Sequence, residues 1–257
     1  MDSQLDLPAT DFRRPFRGWL AFDVRTGLIL LALFSVARFG LVMLANVTRD
    51  YGLVSAFFIV MALTPLILLT RSGRARIGLN WRPRLAGLGL GVLLGAGCCV
   101  VLIATAGLLF AAPGDNAFVH VAGTYSALPD QMDETLRLIM FAVFALIGMS
   151  FSPIGEELFY RGLVHESFVA RLGENRAACI DAAAFAVVHL AHFGLVWRGA
   201  GWVLLPAPAL WWLCGMFATA LAFTWARRAS GSVLGAVSGH AAFNLAMTAW
   251  IFYGLRV

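Results

Sequence analysis

The stretch that decides the fold of this chain is LAGLGLGVLLGAGCCVVLIATAGLLFAA, which occupies residues 85–112. It contains no charged side chain and exceeds the roughly 20 apolar residues that an α-helix needs to cross a bilayer. Gly87, Gly91 and Gly95 recur at every fourth position, which lets one membrane helix approach another closely. The stretch therefore predicts a transmembrane helix with a packing face, to which we assign no chemistry.

The composition of the whole chain agrees with a membrane protein. Of its 257 residues, 60% are hydrophobic and 13% are charged, whereas soluble domains have about 45–50% apolar and about 25% charged residues. This excludes a soluble enzyme, a secreted disulfide scaffold and a disordered tail. The four cysteines lie in apolar blocks and are expected to be buried, small apolar residues. They are Cys98, Cys99, Cys179 and Cys214.

Seven apolar runs are long enough to span a membrane, so the expected fold is all-α, a polytopic membrane helix bundle of about seven transmembrane helices. Pro206 and Pro208 are able to divide the sixth run, and the third is long enough to bend, so the expected count ranges from six to eight. The runs are 27–47, 51–70, 85–112, 138–155, 177–196, 201–226 and 231–255.

The charges between the runs indicate an orientation. All 19 basic residues are arginine, against 14 acidic residues, and the arginine clusters fall on one side of the bundle if the N-terminus is cytoplasmic. The loop at 113–136 has four acidic residues and no arginine, as the opposite side should. Residues 1–23 are therefore expected to form a cytoplasmic tail. The net charge of +5 indicates topology rather than nucleic-acid binding, and a lysine-free chain is typical of a GC-rich bacterium.

Ionisable groups are costly inside a membrane and by default mark a functional site. Arg38 is expected to face the bundle interior or to snorkel, and Asp181 to lie near the cytoplasmic interface, both as structural groups. The other ionisable groups within or closing a span are Glu156, Glu157, Arg161, His189, His192 and His240.

Two carboxylates close the fourth run. Glu157 and Arg161 are four residues apart with Glu first, the favourable order for an ion pair on a helix. Glu156 points about 100° away, so it is expected to be free for chemistry. The alternative is that these charges merely begin a cytoplasmic loop.

Two further pairs recur at helical spacing. Phe185 and His189 are four apart, with His192 three residues later, and His240 and Asn244 are again four apart. Each pair alone fits a packed, hydrogen-bonded group. Together with a free carboxylate, however, they are the inventory for amide hydrolysis: a base that deprotonates water and donors for the oxyanion. We expect convergence at a cytoplasm-facing cavity.

The ordered set of motifs resembles the CPBP intramembrane proteases, which include type II CAAX prenyl endopeptidases and bacterial bacteriocin-processing or self-immunity proteins. The motifs are Glu-Glu-x-x-x-Arg at 156–161, Phe-x-x-x-His at 185–189 and His-x-x-x-Asn at 240–244. The resemblance covers about 137–253 as a catalytic membrane domain, while 24–136 carries helices and loops without family motifs.

The resemblance implies a role for each motif residue. Glu156 and His189 would activate water, and His240 and Asn244 would stabilise the oxyanion. The site would be supported by Glu157, Arg161 and Phe185.

The cofactor stays open between Zn²⁺ and none. A catalytic zinc site needs three protein ligands and an open position, and Glu156, His189 and His240 are the candidate ligands. A metal-free glutamate mechanism is equally compatible with the sequence.

The expected function is an intramembrane endopeptidase of the bacterial inner membrane that cleaves a hydrophobic, membrane-associated or lipid-modified protein or peptide. Its partners are this substrate and the lipid bilayer, with no nucleic acid; the oligomeric state and prenylation of the substrate stay open. The rival is a non-catalytic scaffold or immunity protein, or a proton-coupled transporter, since polar groups on three helices suit both. The two halves of the chain show no repeat of the kind that many transporters have.

Overall fold

The computed structural model describes residues 11–125, 128–129 and 131–255 and is a helical membrane bundle. Residues 1–10 of the expected tail and Asp130 of the acidic loop lie outside the described residues. The α-helices are α1 Val24–Thr48, α2 Gly52–Leu68, α3 Arg71–Arg76, α4 Leu85–Leu109, α5 Ala117–Ala122, α6 Glu134–Glu157, α7 His165–Leu172, α8 Glu174–His189, α9 Pro206–Ser230 and α10 Val233–Ala249. The shorter elements are a 3₁₀ turn at Pro113–Asp115, π-helical segments at Leu158–Val164 and Trp250–Gly254, and strands β1 Leu195–Trp197 and β2 Trp202–Leu204.

Each expected apolar run corresponds to one helix of the bundle. Among the described residues, four helical stretches have the length and composition to cross a membrane: α1, α4, α9 and the continuous stretch Glu134–Leu172. The apolar α2 is shorter. Pro206 does not divide the sixth run, because it stands in the first turn of α9, where proline has no hydrogen bond to break.

Two expected boundaries are wrong, because a β-hairpin replaces helix between α8 and α9. Helix α8 ends at His189 rather than 196, and α9 begins at Pro206 rather than 201. Gly194 and Gly199 have positive φ angles of 106° and 78°, which end the helix and turn the hairpin. Strands β1 and β2 pair antiparallel and so satisfy the backbone of this segment.

The expectation that the four cysteines are buried is confirmed only in part. Cys99 is buried and Cys98 half-buried, whereas Cys179 and Cys214 are exposed on the outer surface of the bundle. That surface also carries exposed apolar side chains such as Leu93. In a membrane, lipid is as apolar as the protein interior, so such residues gain little from facing inward.

The glycine stripe of α4 forms the closest helix contact near the site, as expected for a packing face. Gly87, Gly91 and Gly95 are all buried, and a Cβ at Gly95 would overlap the backbone of Gly239 in α10. The Ser238 hydroxyl donates to the Leu88 carbonyl at 3.1 Å across the same contact. The stripe therefore fixes the position of α10 directly beside His240.

We predict that Gly95→Val lowers the free energy of unfolding by at least about 1–3 kcal/mol, because an added side chain pushes α4 and α10 apart. Gly97→Val is the matched control, since a Cβ there meets nothing within 4 Å. Thermal unfolding in detergent micelles measures both. Equal midpoints for the two variants would contradict the close contact.

Candidate active site

The two adjacent carboxylates lie where the regular turn of α6 changes to the π-helical segment Leu158–Val164. Both Glu156 and Glu157 are fully buried. Gly155 places this end of α6 against the backbone of α2 at Phe58, where a Cβ would clash. Because the two side chains leave the helix in different directions, each meets a different set of partners.

Glu157 forms the expected ion pair with Arg161. Arg161 Nε lies 3.2 Å from Glu157 Oε2, and Arg161 Nη1 donates to Oε1 at 3.3 Å. The same Oε1 is hydrogen-bonded to His240 Nδ1 at 2.8 Å. The Arg161 guanidinium also lies 4.2 Å from the ring centre of Phe185, within cation–π range. These contacts join α6, α8 and α10 behind the catalytic candidates.

Asp181 extends this ionic network as a buried structural group. Its side chain is fully buried, with Oδ2 2.6 Å from His165 Nδ1 and Oδ1 3.7 Å from Arg161 Nε. His165 Nε2 contacts Glu174 at 3.1 Å, which carries the network to the surface. Burial alone would raise the pKa of the Glu174 carboxyl. The hydrogen bond with His165, together with the charges of His165 and Arg227, outweighs burial and holds this pKa below its usual value.

Glu156 has a charged partner, so the expectation of a free carboxylate is wrong. Arg38 of α1 forms an ion pair with Glu156, and the arginine is only 1% exposed. Arg38 Nη2 also lies 3.3 Å from His189 Nε2 and 3.5 Å from His192 Nε2. Arg38 thus faces the bundle interior, one of the two positions expected from the sequence, and stands at the centre of the candidate site.

The two motif histidines approach Glu156 from separate helices. His189 Nδ1 donates to the Phe185 carbonyl at 2.6 Å, which leaves its Nε2 as an acceptor directed at Arg38. His240 Nε2 lies 3.8 Å from Glu156 Oε2. Asn244 donates to the Gly148 carbonyl at 2.8 Å, one turn further along α10.

Arg38, His189, His240 and Asn244 line a largely apolar inner cavity of about 240 Å³. A second, outer cavity of about 490 Å³ shares Tyr51 and Thr124 with it. The outer cavity lies beside the C-terminal end of α1 at Asn46 and Arg49, whereas the inner cavity meets α1 at Arg38, near the middle of the helix. The polar residues of the inner cavity are Arg38, Tyr51, Thr124, Tyr125, Ser152, His189, His192, Thr219, His240 and Asn244.

The outer cavity is lined by cationic and polar side chains, including Arg49, His120 and Arg198. Burial and the nearby charge of Arg49 lower the pKa of His120, so its ring is neutral at pH 7. No acidic residue lines this cavity among the described residues. Its field therefore favours anionic or hydrogen-bond-accepting groups.

The three candidate zinc ligands do not fit a metal ion in this arrangement. Glu156 and His189 both direct their free atoms at the Arg38 guanidinium, and a divalent cation held between them would lie against that positive charge. His240 turns its other nitrogen to Glu157. Within the described ranges, no three His, Cys, Asp or Glu side chains form a metal-binding group.

The structure thus brings together Glu156, His189 and His240, with Asn244 on the same cavity wall. Sequence reasoning missed the part played by Arg38 and by His165. A single charge in the middle of the otherwise apolar α1 was the signal for Arg38. His165 has no comparable sequence signal, because its partners come from α8.

Comparison with known proteins yields one match. Residues 138–246 match the family model described as "Type II CAAX prenyl endopeptidase Rce1-like". The matched segment contains all three motifs, from Glu156 to Asn244, whereas α1 and its Arg38 lie outside it. No curated protein and no solved structure matches the chain.

We predict that Arg161→Met costs about 3–5 kcal/mol in the free energy of unfolding, because it leaves two carboxylates, Glu157 and Asp181, buried without their shared cation. Arg176→Met is the control, since Arg176 is an exposed arginine of α8. Detergent-phase thermal unfolding compares the two. A variant at position 161 as stable as the control would show that the network contributes nothing to stability.

Proposed function

Because residues 138–246 form an Rce1-like domain of the type II CAAX prenyl endopeptidases, we propose that this integral membrane protein is an intramembrane endopeptidase with Glu156 as its general base. One observation carries the proposal. Arg38 pairs with Glu156 and lies 3.3 Å from His189, and His240 lies 3.8 Å from Glu156, so three motif residues from three different helices converge around one buried guanidinium. Resemblance of motifs alone would not require that convergence.

The proposed reaction begins with a water molecule held between Glu156 and His189. This water replaces Arg38 Nη2 as the donor to the His189 Nε2 lone pair, which orients it, while Glu156 takes its other hydrogen as a proton. The water oxygen forms a bond to the peptide carbonyl carbon, and the electron pair of the carbonyl moves to its oxygen. Collapse of this intermediate breaks the C–N bond, and Glu156 returns the proton to the leaving amine.

His240 and Asn244 are proposed to stabilise the oxyanion from α10. Asn244 uses one N–H for Gly148 and has a second for a ligand. The hydrogen bond between His240 Nδ1 and Glu157 orients the imidazole ring, and in this scheme Nε2 is the donor to the oxyanion. Glu157, Arg161 and Phe185 act in this scheme as supports that hold the histidines in place.

The substrate we propose is an apolar, membrane-associated or lipid-modified segment. Aromatic side chains such as Phe58, Phe223 and Phe243 line much of the inner cavity and would exclude charged residues from it. A more polar part of the substrate would occupy the outer cavity beside Arg49 and Arg198. With the N-terminus in the cytoplasm of a bacterium, as we propose, the outer cavity lies toward the far side of the inner membrane, because it is lined by the C-terminal end of α1.

We predict that Glu156→Gln lowers kcat by at least about 10²–10⁴-fold, because the amide accepts no proton from water. Glu134→Gln is the matched control, since Glu134 is an exposed glutamate at the start of the same helix. A survey of protein N-termini in membranes from cells that express wild type or either variant at equal levels measures the effect. Termini that vanish only with Glu156→Gln would identify substrates, whereas identical termini in all three samples would favour a scaffold or transporter.

A further inference from the structure

Arg38 is a buried cation that the family motifs do not account for. Apart from Arg25 in the first turn, Arg38 is the one ionisable residue of α1. Helix α1 lies outside the Rce1-like domain. An arginine in hydrocarbon is costly and marks a functional group by default. Its guanidinium is 1% exposed and 5.7 Å from the ring centre of Phe58.

The atoms of the guanidinium divide into two groups. Nη2 contacts Glu156, His189 and His192. Nε and Nη1 are buried and have no hydrogen-bond partner among the described residues, although Arg38 lines the inner cavity. A buried donor without an acceptor costs about 1–3 kcal/mol, so the bound state of this site should supply one.

Two other donors of the inner cavity are each engaged at one atom. Asn244 donates one N–H to the Gly148 carbonyl, and His240 Nδ1 is bonded to Glu157. Arg38 differs from both, because two of its nitrogens have no hydrogen-bond partner among the described residues and it carries a full positive charge beside Glu156.

We propose that Arg38 is a further catalytic residue that binds the carbonyl oxygen of the scissile peptide bond and stabilises its negative charge. This rests on the proposed function. As the water oxygen bonds to the carbonyl carbon, its proton goes to Glu156 and the carbonyl electron pair goes to the oxygen. The negative charge therefore moves from Glu156 to the substrate oxygen.

Arg38 makes this transfer possible inside an apolar site. Its charge faces Glu156 before the step and the oxyanion after it, so no uncompensated charge forms at low dielectric. The planar guanidinium suits this role, because Nη2 pairs with the carboxylate while an N–H of Nη1 or Nε remains for a second oxygen. Lysine has the charge but lacks these further fixed donors.

The test compares Arg38→Lys, Arg38→Met and Arg38→Gly with wild type in purified, detergent-solubilised full-length protein, using a substrate found by the Glu156-dependent termini. We expect kcat to fall about 10²–10³-fold with Met or Gly, the loss typical of a removed oxyanion donor, with less change in KM. Arg38→Lys should fold normally, since it keeps the charge beside Glu156, and still lose kcat. Arg25→Met, an exposed arginine of the same helix, should behave as wild type.

Chemical rescue separates catalysis from structural support. Guanidinium at millimolar concentration should raise the kcat of Arg38→Gly, whereas urea, which has a similar shape without charge, should not. Size-exclusion elution matched to wild type establishes that each variant is folded. If Arg38→Gly does not fold, the kcat of Arg38→Lys is the deciding measurement. Full activity of that variant overturns the proposal.

Three further outcomes overturn it. A rise in kcat for Arg38→Met would show that the ion pair restrains Glu156, and a folded Arg38→Gly that guanidinium does not rescue would leave Arg38 a structural role only. An active Arg38→Met beside an inactive Glu156→Gln would reject the role of Arg38 and retain the protease. Equal behaviour of wild type and Glu156→Gln would reject both.

Discussion

The structure depends on how carboxylates are buried within a membrane bundle. Glu156, Glu157 and Asp181 are fully buried, and each contacts a buried arginine, either Arg38 or Arg161. An isolated charge at such a position would cost several kcal/mol, so these partners are obligatory. The requirement also fixes how these helices lie against one another, because the two arginines and three acids come from α1, α8 and the long helix that runs through α6.

Adjacent carboxylates allow one helix end to serve two ion pairs. Glu156 turns to α1 and the inner cavity, while Glu157 turns to Arg161 and His240. The second pair holds the histidine of α10, whose depth is set by the glycine contact between Gly95 and Gly239. Packing of small residues and pairing of charges thus act on the same helix from opposite sides and fix its histidine beside Glu156.

Helical spacing predicted the contacts that lie within one helix. The pair at 157 and 161 is present, and the rings of Phe185 and His189 lie 4.2 Å apart. Contacts between helices could not be predicted in this way, because they depend on the rotation and depth of each helix. Arg38 and Glu156, for example, are separated by more than a hundred positions. The hairpin after Gly194 depends on local φ angles, which the hydropathy of an apolar run does not predict.

The ion pair between Arg38 and Glu156 also bears on how the two parts of the chain work together. The motif residues lie in the matched segment, but the cation that balances Glu156 comes from α1, outside it. Loss of α1 would leave Glu156 buried without the arginine that pairs with it, and an unpaired buried charge costs several kcal/mol. The N-terminal helices are therefore not merely a membrane anchor for the motif-bearing helices. They supply the arginine that pairs with the central carboxylate.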